Sequence, residues 1–104
     1  MLLPENINYG SRIEGVAFTF GEEGDALHWH VHTPEVNDTH IVIVARGKLR
    51  METKGREDDQ VAFAKIISEG DLIDVPFGIW HRFVGLTPGA KIFNLCKEHV
   101  TCAS

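Results

Sequence analysis

His28-Trp29-His30-Val31-His32 leads through a polar connector to His40-Ile41-Val42-Ile43-Val44-Ala45-Arg46-Gly47. A second stretch, Gly70-Asp71-Leu72-Ile73-Asp74-Val75-Pro76-Phe77-Gly78-Ile79-Trp80-His81, ends on another histidine. Side chains at i, i+2 and i+4 of an extended strand point to one face. The ladder therefore predicts His28, His30 and His32 on the same side of a sheet, with Trp29 and Val31 turned away. Neutral imidazole is the commonest transition-metal ligand, so such a face suggests a mononuclear metal site.

The strand that begins at His40 is apolar on both faces. His40, Val42 and Val44 share one side, and Ile41, Ile43 and Ala45 the other. A strand of this kind is covered on both sides. In a chain of 104 residues the second cover is expected from the N-terminal strand or from a second subunit, and a homodimer is the expectation.

Short apolar runs alternate with turn signals along the rest of the chain, and no window of helical length keeps a 3.6-residue period. Strands are expected at Ile13–Phe20, Ala26–His32, His40–Ala45, Lys48–Thr53, Gln60–Ile67, Asp71–Val75, His81–Val84 and Ala90–Lys97. The first dozen residues and the Glu98–Ser104 tail carry the weakest signals. Arg46-Gly47-Lys48, Lys54-Gly55-Arg56-Glu57-Asp58-Asp59 and Thr87-Pro88-Gly89 read as turns. Short strands at this density point to a small all-β domain over 1–104, an antiparallel sandwich or barrel.

Composition narrows the function. A hydrophobic share of 43% is ordinary for a folded domain, and the net charge of -5 argues against nucleic acid, which needs clustered Lys and Arg. There is no long apolar run for a membrane span and no secretory pattern at the N-terminus. Cys96 and Cys102 lack framework spacing and read as reduced thiols, so a cytoplasmic location is expected.

The spacings also carry a resemblance. The second stretch, with Arg82 to Gly85 added, reads G-x5-P-x-G-x2-H-x3-G. It is similar to the second sequence motif of the cupin superfamily, G-x5-P-x-G-x2-H-x3-N, with Gly85 in the place of Asn. The first stretch resembles the first cupin motif, G-x5-H-x-H-x3,4-E-x6-G. Here the connector is longer, and His40, with six residues between it and Gly47, stands where the family has Glu. The motifs run over about 26–47 and 70–85.

The resemblance implies a double-stranded β-helix, the jelly-roll barrel of two antiparallel sheets, with one divalent transition metal in its mouth. Carried over position by position, it implies His30, His32, His40 and His81 as ligands. Which two of His28, His30 and His32 bind stays open: the pair His30 and His32 leaves a connector of seven residues, the pair His28 and His30 one of nine. Glu35 fits the family's spacing from His30 but lacks the following glycine. His28 would then lie one step along the ligand face, as a substrate contact or as the best candidate for a catalytic acid or base. A lone strand histidine is more often a hydrogen-bonded core or surface residue, and His99 is read that way. Four converging imidazoles are costly to bury without a metal.

Four neutral imidazoles leave a divalent cation its full charge, which favours an anionic chelating ligand such as a β-diketone enolate, a 2-oxo acid or a thiol carboxylate. Fe(II) is expected first, then Mn(II), Ni(II) and Zn(II). On strand alternation Phe83, Ile92, Asn94 and Cys96 face inward, with Phe18, Phe20 and Phe63 as walls, while Arg50 and Arg82 belong to the surface. Two functional classes follow. One is a metal-dependent enzyme, dioxygenase-like or an isomerase or lyase, acting on a small chelating organic molecule. The other is a non-catalytic small-molecule or metal-binding protein, a sensor or accessory subunit.

Overall fold

The computed structural model describes residues 1–8, 13–31, 40–75 and 78–97, with the backbone alone for residues 7, 8, 13, 14, 40, 96 and 97. The described residues hold strands and turns and no helix. The strands are β1 (Leu2–Asn8), β2 (Ile13–Phe20), β3 (Ala26–His30), β4 (His40–Arg46), β5 (Lys48–Lys54), β6 (Phe63–Ser68), β7 (Leu72–Asp74), β8 (Trp80–Gly85) and β9 (Ala90–Lys97). They form two antiparallel sheets, β1-β2-β9-β4-β7 and β3-β8-β5-β6. The expected strands are present with boundaries shifted by a few residues, and β1 is added to them. The chain thus folds as the jelly-roll barrel of two sheets.

Alternation dictates what each sheet turns inward. From the four-stranded sheet come Leu27, Phe83, Met51, Leu49 and Ile67; from the five-stranded sheet come Phe18, Phe20, Ile92, Ala90, Val42 and Val44. Each of these is buried, and together they make one apolar core between the layers. Burying a Leu, Val or Phe side chain contributes about 1.5–3 kcal/mol. The tight turn from β4 to β5 runs through Gly47, whose φ of 74° is natural for glycine alone. A Cβ there would also lie 2.4 Å from the Thr87 hydroxyl oxygen.

Gly85 is glycine for a different reason. It is buried in register with Leu49, and an added Cβ would come within 2.8 Å of the Phe20 Cβ. The close approach of Phe20 accounts for the departure from the Asn of the second cupin motif.

Two expectations about faces are corrected. β1 does not lie over β4; it pairs edge to edge with β2 and extends the sheet. The outer face of β4 and its neighbour β9 therefore keeps Ile41, Ile43, Phe93 and Leu95 only half-buried. A register shift between Val44 and Arg46 interrupts the β4 ladder at Ala45. The second correction concerns β3. Leu27 pairs with Phe83 and His30 with His81, so three steps on β3 match two on β8. This extra residue is a β-bulge, and it reverses the phase of the strand between Leu27 and His30. His28 is consequently exposed rather than aligned with His30.

Candidate functional site at the histidine pair

A row of inward positions crosses the four-stranded sheet near one end of the barrel: His30 on β3, His81 on β8, Thr53 on β5 and Phe63 on β6. His30 and His81 are register partners, and their rings meet with centroids 4.1 Å apart at an interplanar angle of 60°. His81 is fully buried and His30 partly so. Behind His81 stands Phe83, edge-on at 6.1 Å.

Both rings are held in the same way. His30 Nδ1 lies 2.9 Å from the carbonyl oxygen of His28, within the bulge, and His81 Nδ1 lies 3.0 Å from that of Ile79. A carbonyl accepts only, so each Nδ1 carries the proton and donates it. Both Nε2 atoms are buried. An imidazole anchored through Nδ1–H to a carbonyl is the arrangement that orients a histidine for metal at Nε2. Burial is the larger influence on His30 and lowers its pKa below the usual 6.5, against the opposing effect of the His28 carbonyl. A neutral ring is the form a ligand needs.

The chain path adds His40. It stands seven positions before Gly47 on β4, opposite Cys96. Thr53, the register partner of His81, stands six positions after Gly47 on β5. At about 3.3 Å per residue both lie roughly 20 Å from the same turn, so the backbone carries His40 to the end of the barrel that holds the histidine pair. His32, Glu35, Pro76, Phe77 and His99 lie outside the described residues. Among the described residues no three His, Cys, Asp or Glu side chains gather into a metal cluster. The donor chemistry of the pair nonetheless fits a metal: two imidazoles anchored through Nδ1, with buried Nε2 atoms and adjacent rings.

Other expected positions fall as alternation has them. Phe18, Phe20, Phe83 and Ile92 are core, and Asn94 is a buried polar side chain one inward step along β9 from the partner of His40. Phe63, expected as a wall, is 57% exposed because β6 is the edge of its sheet. Arg50 and Arg82 are on the outer face, as expected, where both bind the carboxylate of Glu52. Trp29 faces out beside them, with Lys54 Nζ 4.3 Å and the Arg82 guanidinium 5.1 Å from its ring. Gly24 is a glycine signal that the spacing of the ladder histidines leaves unused. It stands six positions before His30, the spacing of the opening G-x5-H of the first cupin motif, whereas Glu22 holds that place relative to His28.

No family model and no curated protein matches the chain. Solved structures do. The chain is similar to KdgF from Halomonas sp., at 19% identity over 94% of this chain and 79% of that one, with a TM-score of 0.71. It is also similar to an RmlC-like cupin from Shewanella frigidimarina, at 19% identity over 92% and 75% of the two chains, with a TM-score of 0.69. A third is an RmlC-like cupin family protein with a double-stranded β-helix fold from Methanocaldococcus jannaschii, at 13% identity over 95% and 82%, with a TM-score of 0.67. Identities this low speak to the fold.

Proposed function

We propose, from the premise that this chain has the cupin fold, that it is a metal-binding cupin that acts on a small chelating organic molecule. The observation that carries this reading is the histidine pair, with both Nδ1 atoms anchored to carbonyls and both Nε2 atoms buried side by side. His30 and His81 are two of the ligands in this reading, and His32 and His40 complete the set. His40 in place of a carboxylate leaves the donor set without negative charge.

These residues would hold a divalent ion, Fe(II) first and Mn(II), Ni(II) or Zn(II) after it, which would supply Lewis-acid polarisation of a chelating ligand. The chain's own residues supply the surroundings. The carbonyls of His28 and Ile79 fix ring orientation and tautomer, and Phe83 makes the wall behind His81 apolar. His28, exposed beyond the bulge, is not in line with the pair and takes no part in this reading. The finer assignment is a dioxygenase-like enzyme, or an isomerase or lyase, whose substrate is an enolisable or α-functional acid.

Two measurements test this. Metal analysis of purified protein should find about one ion per chain, lost in His81→Ala and diminished in His40→Ala; metal content unchanged in both variants refutes the site. Oxygen uptake by the Fe(II)-loaded protein is then followed with β-dicarbonyls, 2-oxo acids and thiol acids. Turnover of one class supports the enzyme. Metal without turnover on any class, across the four metals, moves the reading to a non-catalytic binding protein.

A further inference from the structure

Each sheet ends in two outer strands, and three of the four free edges are blunted. β7 is three residues long, and β3 is interrupted by its bulge. β1 carries Pro4. Gly21 N–H donates to the Met1 carbonyl, so Leu3, Glu5 and Ile7 exchange hydrogen bonds with β2. Pro4 falls on the free side, where it has no N–H to offer. Short, bulged and proline-bearing edges resist a further strand. β6 differs, running six residues against β5 in unbroken register.

The free edge of β6 is unspent. Glu69 N–H donates to the Gly47 carbonyl at 3.0 Å, which sets the phase of the ladder. Phe63, Lys65 and Ile67 exchange hydrogen bonds with β5, and Ala64 and Ile66 turn N–H and C=O to the open side. Ser68 has the same phase as Ile66, and its two groups meet Asp71 in the following turn. Among the described residues none bonds the outward groups of Ala64 and Ile66. Exposed apolar side chains gather at the same place. Phe63 and Ile66 are 57% and 61% exposed, with Val61 just before the strand and Leu72 on β7 exposed as well. Between β6 and β7, the last strands of their sheets, lies a cleft of about 410 Å³ lined in part by Met51, Ile67 and Ile73. Open main-chain groups beside apolar pockets for alternate side chains are what strand addition uses.

Lys65 selects the occupant. It stands between Phe63 and Ile67 in the row that faces the cleft, opposite Met51, and forms no ion pair among the described residues. The carboxylates nearby are placed otherwise. Asp71 accepts the Ser68 N–H at 2.8 Å, and Asp74, through its register with Ile41, lies on the outer face. An edge lysine ordinarily deters pairing, and here it deters a second copy. β6 has no acidic residue, so self-pairing about a two-fold sets Lys65 against Phe63, Ile67 or another lysine. We propose that the edge of β6 takes up an extended acidic peptide as an antiparallel strand. Its residues opposite Phe63, Lys65 and Ile67 are apolar, Asp or Glu, and apolar. Its main chain bonds Ala64 and Ile66, its carboxylate lies on Lys65, and its apolar side chains turn toward the cleft. This site does not rest on the metal reading.

The test is a fluorescence-anisotropy titration of the labelled, end-blocked peptide Thr-Val-Thr-Glu-Thr-Val-Thr with the full chain. Chelator is present, so that no metal takes the carboxylate. Binding should be saturable, and the amide hydrogens of Ala64 and Ile66 should exchange more slowly in the complex. Replacing the peptide's Glu with Lys should weaken binding about fivefold to tenfold, and Lys65→Glu should reverse that preference. N-methylation of the peptide's third and fifth residues, which face Ile66 and Ala64, should abolish binding. Lys65 is exposed, and an unchanged thermal melt verifies that the variant folds. Absence of saturable binding overturns the proposal, as does binding that survives N-methylation or is indifferent to Lys65→Glu. Slowed exchange at Ala64 and Ile66 that grows with chain concentration in peptide-free protein also overturns it, and assigns the edge to a second copy.

Discussion

His30 and His81 oppose each other across β3 and β8, register partners with ring centroids 4.1 Å apart. They do so because of the bulge. Without the extra residue between Leu27 and His30, a strand that turns Leu27 inward beside Phe83 would turn His30 outward. The same irregularity directs the His28 carbonyl to His30 Nδ1, so one inserted residue both aims the ring and sets its tautomer.

Removal of either ring should abolish metal-dependent stabilisation. Added Ni(II) or Zn(II) at a hundred times the dissociation constant raises stability by about 2.7 kcal/mol when it binds only the folded chain. A thermal melt with and without metal should show that gain in the parent and in His28→Ala, and none in His30→Ala or His81→Ala. Equal gains in all four proteins would falsify the assignment of the pair.

The metal-free protein should lose stability in mild acid. The folded-state pKa of His30 is depressed, mainly by burial. The unfolded chain therefore takes up this proton first as pH falls. The contribution is complete above about pH 6.5, declines as pH drops below it, and levels off under the folded value. Urea midpoints of chelator-treated protein at about pH 7.5 and about pH 5 should fall farther in the parent than in His30→Gln.

Gly85 should resist substitution. Gly85→Ala places a Cβ 2.8 Å from that of Phe20, and overpacking of this kind costs about 1–3 kcal/mol. Gly85→Asn, which restores the usual second cupin motif, should cost more. A denaturant midpoint at or above that of the parent in either variant contradicts the packing account.

Glu52 should matter to stability although it is remote from the histidines. Its side chain is 10% exposed and accepts from both Arg50 and Arg82. Glu52→Gln leaves two guanidiniums without their shared anion and should cost about 1.5–3 kcal/mol. Arg82→Met removes one partner and also the cation over Trp29, so it should shift tryptophan emission as well as the unfolding midpoint.

The half-buried outer face of Ile41, Ile43, Phe93 and Leu95 should be the contact of a homodimer, since β1 leaves it uncovered. Sedimentation at micromolar concentration is expected to give twice the chain mass, and Ile43→Lys should halve it. A parent that sediments as a monomer rules the dimer out.

The strands and the all-β class were readable in the chain because alternation and turn chemistry are local. Ile13–Phe20 and Ala90–Lys97 carry their own pattern, and glycines such as Gly47 mark where the backbone must turn. β1 was not readable in the same way. Leu2-Leu3-Pro4-Glu5-Asn6-Ile7-Asn8 alternates poorly, and it is a strand because β2 offers it an open edge.

The site divides along the same line. Histidine spacing and the Gly-Pro-Gly run before His81 belong to the covalent chain, so the candidate ligands could be named from it. Perfect alternation, however, puts His28, His30 and His32 on one face, and a bulge is a property of two paired strands rather than of one. Only the ladder to β8 shows that His28 leaves the row while His30 meets His81. The cleft between β6 and β7 is likewise tertiary: Ile67 and Ile73 come to one gap because each lies on the last strand of a different sheet.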